Sequence, residues 1–467
     1  MIDTLKTKLK TGDELINESI IKAKNSNLNA FVTIINDAKV EDKDLVLSGI
    51  PYVAKDNFST KGILSTASSN SLKDYIPFFD ATAIKKLKET GAVNIGKTVM
   101  DELGMGETGT TGHTGAVKNP WDNERITGGS SAGSCAAVAA GIVPFALGSD
   151  TGGSIRKPSS YCGVVGYKPT YGMISRYGLF ALASSFDHVG VITTSVKDAA
   201  LVVDTIKGID ENDMTSWDSS NINLTSSLTA NIKTKKLFYI KEICENNYSD
   251  TLDETTKTLE LFNETLNKVR TLGFTVDEIS IDKTLLNAIY PAYFTIASAE
   301  ATSNMANLTG MIFGPRGKGK TAEEMMFDHR TNGFSPLIKR KFIIGSYVLR
   351  AENIDRYLFN SAKVRKIITD KISDLFKTYD GMILPASLSP APKADDKLPV
   401  YLKTEQYLAI ANFGGFPSIT IPSGFVNNMP VGINITGNIK DDENLLNIAY
   451  NIENILGYKN QTTKGGK

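Results

Sequence analysis

Apolar positions in the first part of the chain switch between two periods. Leu5, Leu9, Leu15, Ile16 and Ile20 recur at roughly helical spacing within the charged stretch 1–24, which predicts an amphipathic helix rather than a secretion signal. Short apolar runs at 30–34 and 50–54 predict strands, followed by a helix over 81–90 and a strand over 92–95. A run of small side chains over 131–140 predicts a helix that lets backbone approach closely. Residues 142–147 then predict a buried strand, and Gly152-Gly153 a tight turn.

The stretch 208–236, rich in Ser, Asn, Asp and Thr, predicts a polar surface loop. Beyond it the pattern predicts helices near 251–272 and 293–306 and one long helix over 336–376, then strands at 381–384, 418–421 and 431–435. Alternating strands and helices make this an α/β chain. The expected architecture is one domain over 1–467: a catalytic half 1–207, the loop 208–236, a helical second half 237–458 whose late strands rejoin the first sheet, and a flexible tail 459–467. No internal repeat is present.

Composition narrows the function classes. Lys plus Arg and Asp plus Glu both total 51 in 467 residues, so no overall field draws nucleic acid or an anionic membrane. An RNA role then needs a local patch or a partner. Cys135, Cys162 and Cys244 are too scattered for a disulfide framework, which suggests a reducing compartment, by default the cytoplasm. The longest weakly polar run, 135–148, is too short to span a bilayer. Three dispersed histidines, His113, His188 and His329, give no ligand spacing, so no metal site is expected.

The candidate chemistry lies in two glycine-serine clusters, Gly128-Gly129-Ser130-Ser131 and Asp150-Thr151-Gly152-Gly153-Ser154, and in Lys55, which ends an apolar strand-like stretch. A serine hydroxyl becomes a nucleophile when a neighbour removes its proton, and a buried lysine does this once desolvation populates the neutral amine. With Ser130 between Lys55 and Ser154, one hydroxyl passes a proton along, and Ser154 attacks a carbonyl. The turn at Thr151, Gly152 and Gly153 aims successive N–H groups at one spot, an oxyanion hole. Hydrolysis or acyl transfer follows as the reaction class.

Rival motifs are weaker. Two segments fit the phosphate-loop pattern, 91–98 and 314–321. The first places a strand where the loop belongs, and in the second Pro315 removes an N–H that should cradle phosphate. A basic loop, 316–320, is the plainer reading there, with tRNA or a partner as what it touches. The glycines of 104–109 mimic a dinucleotide fingerprint without a buried strand before them. Gly129-Ser130-Ser131-Ala132-Gly133 fits the G-x-S-x-G elbow, which would make Ser131 the nucleophile, yet that fold takes its histidine late and no histidine follows His329.

The two clusters, together with the upstream Gly49-Ile50-Pro51-Tyr52-Val53-Ala54-Lys55-Asp56, resemble the amidase signature family. The likeness tightens in Gly163-Val164-Val165-Gly166-Tyr167-Lys168-Pro169-Thr170-Tyr171-Gly172, in Lys97-Thr98-Val99-Met100-Asp101-Glu102 and in Asn119-Pro120-Trp121-Asp122, which are similar to the branch serving tRNA-dependent amidation. The resemblance implies a large twisted mixed β-sheet covered by helices on both faces. It also implies Lys55 as base, Ser130 as a relay in a cis-peptide setting and Ser154 as the acylated residue. The implied substrate is glutamine, with Arg340 on its carboxylate, Glu405 on its ammonium, and Tyr293 and Ser131 as further pocket residues. Ammonia would pass to partner B and C subunits that activate misacylated tRNA, glutamyl-tRNA or also aspartyl-tRNA, with ATP and Mg held by the partner and no cofactor in this chain. Two other readings stand beside it: a stand-alone amidase on another small amide, and a catalytically silent scaffold or nucleotide-binding subunit.

Overall fold

A computed structural model describes residues 2, 12–40, 45–230, 232, 234–245, 253–395 and 406–463. The first half runs α1 (Gly12–Asn25), β1 (Phe31–Ile34), β2 (Pro51–Lys55), α2 (Thr82–Glu89), β3 (Val93–Thr98), α3 (Ala132–Ala139), β4 (Phe145–Asp150), α4 (Arg156–Cys162), β5 (Val165–Lys168), β6 (His188–Thr193) and α5 (Val196–Ile206). The second half adds β7 (Lys236–Ile240), α6 (Lys241–Cys244), α7 (Asp253–Thr271), β8 (Thr275–Ile279), α8 (Lys283–Asn287), α9 (Ile289–Asn304), α10 (Ala322–Gly333), α11 (Pro336–Val348) and α12 (Asn360–Leu375). It closes with β9 (Gly381–Pro385), α13 (Ala409–Phe413), β10 (Ser418–Val426), β11 (Met429–Thr436) and α14 (Asp442–Leu456).

These strands form one 11-stranded sheet in the order β1-β3-β2-β4-β6-β5-β10-β11-β9-β7-β8. It is mixed: β2 lies parallel to β3 and β4, β7 is parallel to β8 and β9, and the centre from β4 through β6, β5, β10 and β11 is antiparallel. Late strands therefore do rejoin the first sheet.

Successive strand residues point to opposite faces, and each face here is covered. Tyr52, Ala54, Phe145, Leu147 and Val191 enter one apolar cluster with residues of α2, α5 and α14, whereas Val53, Ala146 and Ile192 enter another with Cys135, Ala137 and Ile155. The small side chains of α3 serve the expected purpose: a Cβ on Gly133 would come within 2.4 Å of the Ala30 carbonyl oxygen.

The structure departs from the sequence pattern in places. The long helix expected over 336–376 is two helices, α11 and α12, joined through a π-helical turn at Asp355–Phe359. The Asn353 side chain donates to the Tyr347 carbonyl (2.9 Å), so a polar side chain takes up an acceptor at the end of α11. The polar stretch 208–236 is tied by its own carboxylates, since Asp213 accepts from the N–H of Arg176 (2.8 Å) and of Thr215 (3.0 Å). The described part of the tail is also held: Asn460 N–H donates to Thr194 O and Thr463 N–H to Ala139 O. No helix among the described residues is long and apolar enough to cross a membrane.

Candidate active site

Lys55 is the last residue of β2, and strand alternation puts it on the Val53 face, toward α3 and α4. It is fully buried. Its Nζ donates to Ser130 Oγ (2.8 Å), to Ser149 Oγ (2.8 Å) and to the Ser149 carbonyl (3.2 Å). Burial lowers its pKa from about 10.5 to about 7, against the pull of the Asp101 and Asp150 carboxylates. The neutral amine is therefore well populated near neutrality.

Ser130 follows a cis peptide bond from Gly129. Gly129 N–H donates to the Glu107 carbonyl (2.9 Å), and a Cβ there would sit 1.9 Å from the Asp101 carboxylate, so only glycine fits. The two serine clusters are stitched together by Ser131, whose N–H donates to the Ser154 carbonyl (3.1 Å) and whose hydroxyl donates to the Ser149 carbonyl (3.2 Å).

Ser154 sits on the turn between β4 and α4. A buried ion pair shapes that turn: Asp150 accepts from the N–H groups of Gly153 (2.9 Å) and Ile155 (3.0 Å), and from Arg156 Nε (3.0 Å) and Nη2 (2.9 Å). Burial alone would raise the Asp150 pKa, but the Arg156 charge and these donors hold it well below the usual carboxylate range. Asn412 braces the pair from the far end of the chain, donating to Asp150 Oδ1 (3.0 Å) and accepting from Arg156 Nη2 (2.8 Å). The Thr151 hydroxyl donates to Asp187 (2.6 Å).

The backbone donors of this turn divide. Gly153 N–H is taken by Asp150, whereas among the described residues no acceptor lies on the N–H groups of Thr151, Gly152 or Ser154. The donor set available to an oxyanion is thus Thr151, Gly152 and Ser154, rather than one that includes Gly153. Ser154 and Gly152 open onto a cavity also lined by Glu107, Lys157, Tyr293, Ser298 and Lys341. The Ser154 hydroxyl has no hydrogen-bond partner among the described residues, and the bond to Ser130 that a relay needs is not made.

The amidase family's sequence profile matches residues 1–446. The A subunit of the glutamyl-tRNA(Gln) amidotransferase of Agathobacter rectalis is 39% identical over an alignment of 472 positions, gaps included, which covers 97% of this chain and 92% of that one. The crystal structure of the corresponding A subunit of the Thermotoga maritima glutamyl-tRNA(Gln) amidotransferase superposes with a TM-score of 0.81 at 37% identity, covering 95% and 91% of the two chains. A solved structure described through the evolutionary origins of an s-triazine catabolic enzyme has a TM-score of 0.82 at 26% identity and covers 98% of each chain.

This chain belongs to the amidase family. The α/β fold with one mixed sheet is the one expected from the sequence. For an amidase, the substrate end of the site differs from expectation in detail. Tyr293 lines the cavity and packs on the turn, its ring Cζ lying 2.6 Å from where a Gly152 Cβ would be. Arg340 is exposed and does not line the cavity; the next residue of α11, Lys341, does. Ser131 is fully buried and occupied by Ser149 and Ser154, so it is a tie between segments rather than a substrate contact. Glu405 lies outside the described residues.

The rival motifs of this amidase resolve structurally. Lys97, the lysine of the first phosphate-loop match, is fully buried on β3, donating to Phe58 O and Ser65 Oγ (both 2.6 Å) beside Asp56 (3.7 Å). No strand precedes Gly314, and the basic residues Arg316, Lys318 and Lys320 are exposed. Among the described residues no cluster of three or more His, Cys, Asp or Glu could hold a metal. Ser149, the residue that holds Lys55, was not singled out by the sequence. Its signal was its place one position before the Asp-Thr-Gly-Gly-Ser turn.

Proposed function

We propose that this chain is a glutamine amidohydrolase that supplies ammonia to a partner for tRNA-dependent amidation. The observation that carries the reading is the desolvated Lys55 amine on Ser130 Oγ (2.8 Å), one residue from the backbone bond tying that cluster to Ser154. The amidotransferase names of the relatives support the physiological context.

In the proposed reaction the neutral Lys55 amine takes the Ser130 proton as Ser130 takes that of Ser154, once the Ser154 hydroxyl turns toward it. Ser154 Oγ bonds to the side-chain amide carbon of glutamine. Negative charge developing on the amide oxygen is met by the N–H groups of Thr151, Gly152 and Ser154, each aligned donor contributing roughly 3 kcal/mol. The Lys55 ammonium returns a proton through Ser130 to the leaving nitrogen, ammonia departs, and water releases glutamate from the Ser154 ester. Lys341 replaces Arg340 as the cation offered to the substrate carboxylate.

The partners in this reading are B- and C-type subunits, the former holding ATP and Mg and acting on glutamyl-tRNA(Gln), in the cytoplasm. The test is ammonia release from glutamine, and amidation of Glu-tRNA(Gln), by the chain purified with its co-purifying subunits. Ser154→Ala is expected to abolish glutamine-dependent amidation and leave amidation driven by added ammonium intact. Undiminished glutamine-dependent activity in that variant would refute the proposal.

A further inference from the structure

Asp187, the residue before β6, closes on the nucleophile turn and is 3% accessible. Its Oδ1 accepts from the Thr151 hydroxyl (2.6 Å), and its Oδ2 from the N–H groups of Leu182 (2.9 Å) and Ala183 (3.0 Å). Burial raises its pKa to about 6, against the pull of those donors. The fold thus keeps this carboxylate enclosed at a cost, and no step of the proposed reaction consumes it.

Its direction is over-determined. A turn over 183–187 closes on the Ala183 carbonyl, which accepts from Phe186 N–H (2.8 Å) and Asp187 N–H (2.9 Å). The second half of the chain grips that turn. Glu300 of α9 accepts from the N–H (2.9 Å) and hydroxyl (2.6 Å) of Ser185, and Arg365 of α12 donates to the Ser185 carbonyl (3.1 Å) and hydroxyl (3.0 Å). A carboxylate fixed in this way sets where the Thr151 hydroxyl points.

That direction bears on the oxyanion donors. A threonine in a tight turn readily bonds its own backbone, its oxygen accepting from an N–H two or three residues on. From Thr151 those groups are the N–H of Gly153, which Asp150 already takes, and the N–H of Ser154. A Thr151 oxygen turned inward would therefore compete for one of the donors an oxyanion needs. With its hydroxyl committed to Asp187, the N–H groups of Thr151, Gly152 and Ser154 all stay without an acceptor among the described residues.

We infer that Asp187 is the positioning residue of the oxyanion turn: by taking the Thr151 hydroxyl it keeps the Thr151, Gly152 and Ser154 N–H groups available to the developing negative charge. It touches no reacting atom and acts through Thr151. The inference rests on Ser154 as the nucleophile in the reading above.

The test separates rate from binding on the full chain with its co-purifying subunits. Thr151→Val removes the hydroxyl and keeps the side-chain shape. It should lower kcat for glutamine about ten-fold or more and leave KM within about three-fold, because the donors serve the transition state rather than the bound amide. Thr151→Ser, which keeps the hydroxyl, should stay within about three-fold of the parent. Asp187→Asn should lose kcat as Thr151→Val does, since an amide cannot accept at both ends, and the double variant should fall no more than about three-fold below the slower single variant. Should Asp187→Asn fail to fold, the two variants at 151 decide alone. A Thr151→Val enzyme with kcat within about three-fold of the parent, a Thr151→Ser enzyme as slow as Thr151→Val, or single losses that multiply would overturn the inference. The glutaminase reading fails by itself if the parent releases no ammonia from glutamine yet gives a burst of nitrophenolate from p-nitrophenyl acetate that Ser154→Ala abolishes. The same ratios are then read from the burst rates. A parent inert to both substrates refutes the nucleophile and the inference with it.

Discussion

In the proposed mechanism Lys55 is the residue on which the chemistry turns, and its environment fixes a pH dependence. Burial lowers its pKa to about 7, so the amine is protonated below that point and free to act as a base above it. The kcat/KM for glutamine is expected to rise with pH through about 7, and Lys55→Met to form no acyl-enzyme with a chromogenic ester or hydroxamate probe. The same shift has a stability sign. An unfolded lysine titrates near 10.5, so at pH below about 7 the fold bears the whole cost of a buried ammonium, and that cost fades as pH rises toward 10.5. Melting curves should show Lys55→Met more stable than the parent at pH 6, with the gap closing by pH 10. Ser149 supplies a second residue-scale test. Its hydroxyl accepts from Lys55 and from Asn57 (3.0 Å), so it favours the charged amine. In Ser149→Ala the rising limb should move to more acidic pH, and kcat should fall.

At the scale of elements, the turn between β4 and α4 depends on the Asp150–Arg156 pair. Removing one partner of a buried pair leaves a charge without compensation and costs about 3–5 kcal/mol. Arg156→Met should therefore lose that much in urea denaturation and lose activity with it. Gly152 has a different constraint, because a Cβ there would meet Tyr293 Cζ at 2.6 Å and its hydroxyl at 2.8 Å. Gly152→Ala should fold normally by circular dichroism but lose at least about ten-fold in kcat/KM as the turn and α9 separate, with part of the loss recovered in Gly152→Ala/Tyr293→Ala.

How legible these features were depends on what creates them. Lys55, Ser130 and Ser154 stand in strings where glycine spacing and a strand end are visible in one dimension. Ser149 meets Lys55 because β2 and β4 lie in parallel register, with Ala54 beside Leu147, and such a register is written in no local motif. Arg340 and Lys341 differ by one helical step, about 100° of rotation, which decides whether a side chain meets solvent or the cavity. The α11–α12 break escaped the periodicity because each helix by itself keeps buried apolar residues at helical spacing, Ile338 and Phe342 in one and Ile368 and Ile372 in the other.

The whole molecule is organised so that one sheet draws strands from both ends of the chain, with β5 paired to β10 across the centre. The nucleotide-binding alternative can be checked at this scale. Lys97 is enclosed with Asp56, its pKa lowered to about 8 chiefly by burial, and Lys320 stands in solvent with its N–H on Glu324. Lys320→Ala is expected to leave ATP-dependent amidation by the assembly unchanged, and isothermal titration of the isolated chain with ATP to show no binding.

The brace on the nucleophile turn has a temporal side. Asn412 grips Asp150 across a sequence separation of 262 residues, and Arg156 donates to the Leu408 carbonyl (2.9 Å) and Ser418 Oγ (3.3 Å). A polypeptide still emerging from the ribosome owns its lysine and both serines long before it owns that clamp. In the proposed mechanism, amide cleavage therefore waits until the segment carrying Asn412 has been made and has closed on the turn.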